Sequence, residues 1–364
     1  MRTVARVGLW SGGLLAVLCG AVLASAAVGP VRIDLPTVAR ATLNTVAVPT
    51  EVSFGVGGPS VAGVGVPLPS INVGYTQVFA FAVPETEQTI VGKIRLPRIV
   101  LGAIVGFALS TAGAVMQGFF RNPMADPSII GVSSGAAVGA VAVIAFSLAV
   151  PLQAAAFVTG LVTAFVVYLI ATENGRTPVA TLLLAGIAVQ TFLGAVISYM
   201  LLQSGESLEE VVLWLMGHLH NSQWGEVEVT LPLALVTFGV LLAYARDLNV
   251  LLLGEEDAHA LGIEVERTKR ILLAGSAIIT AAGVAVAGVI AFVGLVVPHM
   301  MRLVVGPDHR ILVPTSALAG ATFLVIADTA ARAGPAEVPV GIVTAAVGAP
   351  FFLFLLRRQE VHAL

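Results

Sequence analysis

Long uncharged apolar windows alternate with short polar connections along most of the chain. The windows are Val7–Val31, Ile99–Phe120, Pro127–Thr172, Thr177–Gly205, Val229–Ala245, Ile271–Met301, Ile311–Ala327 and Val338–Leu356. A helix needs about 20 apolar residues to cross about 30 Å of hydrocarbon. Pro127–Thr172 is therefore long enough for two spans, hinged near Pro151. Ile271–Met301 is long for one span and tight for two, so length alone leaves nine or ten.

Charge decides between them, because short cytoplasmic loops collect Lys and Arg. With Arg2 and Arg6 inside, the chain threads so that Arg121, Arg176, Arg246, Arg267, Lys269 and Arg270 also fall inside. If Ile271–Met301 doubles back near Gly288, then Arg302, Arg310, Arg357 and Arg358 join them. A single span there would send those four outside. The pattern predicts ten helices with both termini cytoplasmic. Arg2, Arg6 and Ala24-Ser25-Ala26 also fit a cleaved signal peptide, but the apolar run is long for a signal core, and an uncleaved first helix is the expectation. The expected divisions are residues 1–29 as the first helix and 30–92 as an outer loop. A nine-helix core over 93–358, with an inner segment at 247–270, and a cytoplasmic tail at 359–364 complete the chain.

Composition agrees. Of 364 residues 57% are hydrophobic and 11% charged, against about 25% charged in soluble domains, and the mean hydropathy is +0.98. This is an all-α polytopic membrane protein, not a soluble enzyme or a nucleic-acid binder. A net charge of -3 offers no basic field for a polyanion, and one cysteine, Cys19, excludes a disulfide framework. The outer loop is rich in Gly, Pro and Val between Arg40 and Glu85, which disfavours helix and suggests short valine-rich strands or an ordered coil. Gly102 with Gly106, and Gly131 with Gly135 and Gly139, are small-residue repeats of the kind that let helices approach closely in lipid. Tight packing within one subunit is the preferred reading, ahead of a dimer seam.

Several chemistries are missing. No GxxxxGK[ST] phosphate loop occurs, so ATP binding by this chain is not expected. No HExxH occurs. Only His218 and His220 are close among the histidines, and two residues apart on a helix they would diverge; no metal site and no catalytic group are expected. Asp328, four residues before Arg332, fits an ion pair at the outer end of its span. A membrane enzyme acting on lipid-linked sugars would need an acidic or histidine cluster, for which Glu206, Glu209 and Glu210 are the only candidates. An ion-driven carrier needs ionisable groups or broken helices at mid-depth.

Three stretches carry more information. Arg95-Leu96-Pro97-Arg98 opens the second span on the outer face and, with Arg332 and Lys93, forms a cationic patch for lipid headgroups or an acidic partner. Arg121, Asn122, Pro123, Asp126 and Pro127 build a cytoplasmic reversal, since Asn-Pro and Asp-Pro initiate turns. Asp247–Arg270 reads as two short helical pieces broken at Gly254 and Gly262. Glu255, Glu256 and Asp257 sit at a helix N-terminus, where the dipole favours anions, and Leu252, Leu253, Ala258, Leu261 and Ile263 give an apolar face. Interfacial membrane helices are usually basic; this acidic one suits protein docking better.

Together these stretches resemble the ABC-importer permeases for iron chelates, haem and cobalamin. The resemblance runs from about Ile94 to Arg358. It is carried by RLPR at Arg95–Arg98, QGFFRNPMADPSIIGVSSGA at Gln117–Ala136, LLLAGIA at Leu182–Ala188 and WLMGHL at Trp214–Leu219. LGIEVERTK at Leu261–Lys269, FVGLVVPHMMRL at Phe292–Leu303, DHR at Asp308–Arg310 and VPVGIVTAAVGAPFFLFLL at Val338–Leu356 complete it. It implies the type II importer permease fold: a ten-helix bundle that dimerises with a second copy in the plasma membrane, with two ATPase subunits below and an extracellular substrate-binding protein above. It further implies that ATP and Mg are used by the ATPase and that this chain binds no cofactor. Arg95, Arg98 and Arg332 would meet acidic residues of the binding protein. Gly254, Glu255, Glu256, Ala258, Leu261 and Gly262 would form the segment seated on the ATPase. Thr177, Ala180 and Thr181 would be the inner gate of a path lined by Thr177–Leu202. The outer loop Val46–Gly74 is longer than the family norm. Cobalamin is the expected cargo, from the closing stretch and GLVVPH; ferric siderophore or haem is the alternative, and a membrane enzyme or ion-coupled carrier a remote one.

Overall fold

A computed structural model describes residues 2–57, 60–61, 64–65, 68–334 and 336–360. The chain forms two compact units, Ala26–Leu96 and the remainder. Helix α1 (Arg2–Ala27) opens it.

The smaller unit begins with α2 (Leu35–Asn44), which departs from the expected strands or coil. Its start is local: Pro36 pre-sets the first turn and the Asp34 carboxylate accepts from the Thr37 N–H at 3.1 Å. Strands β1 (Ala47–Gly57), β2 (Ser60–Val61), β3 (Val64–Gly65) and β4 (Leu68–Gln77) then make antiparallel pairs, β1 with β4 and β2 with β3. The β1–β4 register runs from Ala47 opposite Gln77 to Gly57 opposite Leu68 and slips between Pro49 and Glu51, where proline has no N–H to give the ladder. Asn44 ties the unit together, donating to the Phe81 carbonyl at 3.0 Å and accepting from the Phe81 N–H at 2.8 Å. Helix α3 (Glu85–Thr89) and a π-helical stretch (Ile90–Arg95) lead out.

The larger unit contains α4 (Leu96–Phe119), α5 (Val132–Ala145), α6 (Leu152–Ala171), α7 (Val179–Gln203), α8 (Leu208–Leu215) and α9 (Trp224–Ala243). After these come α10 (Ala245–Leu251), α11 (Glu255–Ala260), α12 (Val265–Ala287), α13 (Val293–Val305), α14 (His309–Arg332) and α15 (Val340–Glu360). Helices follow from the solvent: hydrocarbon offers backbone groups no partner, so each segment must pair its own. Among the described residues seven helical stretches are long and apolar enough to span, and the shorter α5, α13 and Val340–Phe354 bring the segments to ten. The predicted break in Ile271–Met301 is present, between α12 and α13. Gly288 takes φ +68° there, and a Cβ on it would collide with the Trp214 carbonyl.

Helices α4, α12 and α14 are largely enclosed, while α6, α7 and α9 are mostly exposed. Small residues set the closest approaches within this one chain. A Cβ on Gly106 would strike the Gly320 carbonyl of α14, and one on Gly113 the Gly294 carbonyl of α13. Gly135 and Gly139 of α5 meet Thr163 and Thr159 of α6 in the same way. Helix α1 is tied to α13 and α14: Arg6 donates to the Val305 carbonyl at the end of α13 at 2.8 Å, and Thr329 of α14 donates to Ser25 at 2.7 Å.

Candidate functional site

One end of the larger unit is built around the predicted acidic hook. Helix α11 is isolated by Gly254 (φ +136°) and Gly262 (φ +85°), so a six-residue helix stands between two backbone reversals. Glu255, Glu256, Asp257, Leu253 and Leu261 are exposed. Ala258, expected on the docking face, is instead fully buried; its face is the one that anchors α11 to the bundle, leaving Leu253 and Leu261 as the outward apolar contacts. Next to the hook, Asn249 donates to Asp308 at 2.8 Å and accepts from the His309 N–H at 2.9 Å, joining α10 to the start of α14. The Arg310 side chain, paired with Asp308 at 2.7 Å, is the main cause that holds this carboxyl down at about 2.

The entrance to α7 is a tight hairpin. Glu173 and Arg176 exchange backbone hydrogen bonds at 2.9 and 3.0 Å, with Asn174 and Gly175 both at positive φ. That is the two-residue turn that Asn-Gly favours. The Thr172 and Thr177 hydroxyls share a hydrogen bond at 2.9 Å. Thr177 is buried, whereas Ala180 and Thr181 are exposed. Beyond them an exposed stripe runs along α7 through Leu184, Ile187, Thr191, Phe192, Ala195, Ser198, Tyr199 and Leu202. Exposed Leu and Phe are ordinary against lipid, and α6 and α9 show them too; α7 differs in carrying exposed hydroxyls among them. The Thr191 and Ser198 hydroxyls bond back to the Ile187 and Gly194 carbonyls, each at 2.9 Å.

The predicted cytoplasmic reversal divides. Arg121 and Asn122 are exposed, but Asp126 is half-buried and Pro127 buried. The chain re-enters through a 3-10 turn at Pro127–Ile130. Gln190, midway along α7, donates to the Ile129 carbonyl at 2.9 Å. A Cβ on Gly294 would lie 2.8 Å from both the Leu109 carbonyl, midway along α4, and the Pro127 ring. Asp126 holds this turn, accepting from the Ser128 N–H at 2.8 Å. The turn thus occupies mid-height because α5 is only 14 residues long, about 21 Å at 1.5 Å per residue. Asp126, Ser133, Ser134, Gln190 and Thr280 line a cavity beside it, and the buried Thr280 hydroxyl has no hydrogen-bond partner among the described residues.

The cations expected on the outer face are not a bare patch. Arg95 is buried within the smaller unit and donates to the Ala26 carbonyl at 2.6 Å and to the Val31 carbonyl. The docking role expected of Arg95 would need an exposed guanidinium, and here the residue is 5% exposed. In the larger unit Asp328, 2% exposed, receives Arg98 at 2.8 Å and Arg332 at 3.0 Å. Arg98 also meets Glu337 at 2.5 Å, and Arg332 donates to Ser25 at 2.7 Å. The predicted Asp328–Arg332 pair is present, and the whole group is neutral because buried guanidinium groups need acceptors. His218 and His220 do not diverge: their segment is irregular, not helical, and the rings meet at a tilt of 35° with centroids 4.0 Å apart. Burial pushes His218 down to about 4, with His220 and Arg98 adding to the effect.

The family model described as the FecCD transport family matches residues 62–358. The chain is 58% identical over 365 residues to the cobalamin import system permease protein BtuC of Halobacterium salinarum, covering 99% of each. It is 46% identical to the hemin transport system permease protein HmuU of Yersinia pestis, over 74% of this chain and 83% of that one. Against the Fe(3+) dicitrate transport system permease protein FecD of Escherichia coli the identity is 38%, over 74% and 85%. A solved ABC transporter described as of a putative metal-chelate type, in an inward-facing conformation, superposes with a TM-score of 0.76 at 28% identity, over 96% of this chain and 98% of that one.

Proposed function

The chain belongs to the FecCD transport family, and from that premise we propose that it is the permease of an ATP-driven importer whose cargo is cobalamin. It is a polytopic transport subunit of the cell membrane. The cargo reading is carried by one observation, the 58% identity to a cobalamin permease over nearly the whole of both chains. Haem is the second reading, favoured by the 46% identity to a hemin permease.

Two copies would pair through the stripe on α7, whose small and hydroxyl-bearing residues suit a helix–helix seam or a wetted path better than lipid. ATPase subunits, which would bind the ATP and Mg, would grip α11 and its flanking Leu253 and Leu261. Their closure would move the start of α7 at Thr177, Ala180 and Thr181. Both termini would be cytoplasmic, since that orientation puts Arg6, Arg121, Arg176 and Lys269 inside. A binding protein would dock outside, where a partner carboxylate could displace the half-exposed Glu337 from Arg98 while Asp328 keeps that guanidinium and Arg332 in place.

The test is uptake into proteoliposomes holding the permease with its ATPase and binding protein. Labelled cobalamin should enter only with ATP, and haemin and a ferric siderophore should not. Haemin uptake without cobalamin uptake would replace the cargo; uptake driven by an ion gradient without ATP would overturn the importer reading.

A further inference from the structure

Lys269 lies in the second turn of α12 and is 4% exposed. An ammonium this enclosed costs several kcal/mol unless its donors are matched, and here they are matched from three places. Nζ lies 2.9 Å from Glu255 Oε1 on α11, 3.0 Å from Glu266 Oε1 on its own helix and 2.8 Å from the Thr177 carbonyl oxygen before α7. An ammonium has three N–H donors, and each has an acceptor. Glu255–Lys269 is the only ion pair that α11 makes among the described residues.

The parts on either side differ in stiffness. Helix α11 is a short lever between two glycines at positive φ. The Thr177 side is a closed hairpin, with its hydroxyl held by Thr172 and its backbone crossed between Glu173 and Arg176. A shift delivered to the Thr177 carbonyl therefore carries the start of α7 with it. A cavity of about 490 Å³, lined by Phe119, Phe120, Ala180 and Leu251 among others, adjoins the bridge and gives the α7 start room to move.

We propose that Lys269 is the positioning residue that transmits displacement of α11 to the entrance of α7. The proposal rests on the reading that a partner ATPase drives α11. A purely structural lysine, present to neutralise Glu255 and Glu266, would leave the yield of cargo per ATP unchanged in any variant that assembles.

The experiment uses the full complex in proteoliposomes and counts cobalamin imported per ATP hydrolysed. Lys269→Met, similar in length and uncharged, should lower that ratio about tenfold, within the usual range of coupling between sites, while the complex still assembles and hydrolyses ATP. Lys269→Arg should recover most of it. Glu255→Gln, on a half-exposed side chain that folding tolerates, should lower the ratio as well, and the double variant should be no worse than the poorer single one. An unchanged ratio in Glu255→Gln or Lys269→Met overturns the proposal, as do additive losses or an arginine no better than methionine. Wild-type complex run alongside reports on the importer reading itself: no ATP-dependent uptake there would remove that reading, not the bridge.

Discussion

Asp328 is the residue on which the C-terminal end of α14 depends, because two guanidinium groups share its one carboxylate in a place with almost no solvent. Removing one partner of a buried pair leaves an uncompensated charge, a loss of about 3–5 kcal/mol. Asp328→Asn should therefore lower the thermal midpoint of the detergent-solubilised protein markedly, and an unchanged midpoint would show that Arg98 and Arg332 find other acceptors. Glu337 meets the same Arg98 but is 48% exposed, where ion pairs contribute about 0–1 kcal/mol, so Glu337→Gln should barely move it. The Asp328–Arg332 pairing was legible at four-residue spacing. Arg98 was not, since it lies 230 residues from Asp328 and nothing in its local sequence distinguishes a paired arginine from a free one.

Among the elements, α11 shows how much a pattern can say and where it stops. The acidic N-terminus and the two glycines fixed its limits, because glycine reversals and helix dipoles act over a few residues. Gly262 holds φ +85° and donates its N–H to the His259 carbonyl at 3.0 Å. Proline, fixed near φ -65° and without an N–H, fails on both counts. Gly262→Pro should thus abolish uptake while the protein still inserts; uptake at the wild-type rate would remove α11 from the mechanism. The inward face of Ala258 escaped the pattern, as did the depth of the Asp126–Pro127 turn. A six-residue helix has too few turns for its apolar positions to separate a core contact from a partner contact. A Pro-rich reversal has the same sequence at the membrane surface as at mid-height.

For the whole molecule, the open question is what covers α7. In a Cys19→Ser background, Phe192→Cys should form a covalent dimer on mild oxidation, whereas Val236→Cys on the exposed face of α9 should stay monomeric. Cross-linking through Val236 alone would move the seam to α9.

The amino-acid sequence by itself marked out the apolar segments, their breaks at Pro151 and Gly288 and the limits of the hook. Each of these follows from local, nearly additive terms: hydrocarbon transfer, charge near the membrane ends, and backbone freedom. Only the tertiary structure decided that Arg98 and Arg332 are neutralised, that the turn after α4 dips to mid-height, and that Lys269 joins Glu255 to Thr177. These are contacts between residues distant along the chain, and which buried charge finds which acceptor is settled by how ten helices pack, not by what stands beside each residue.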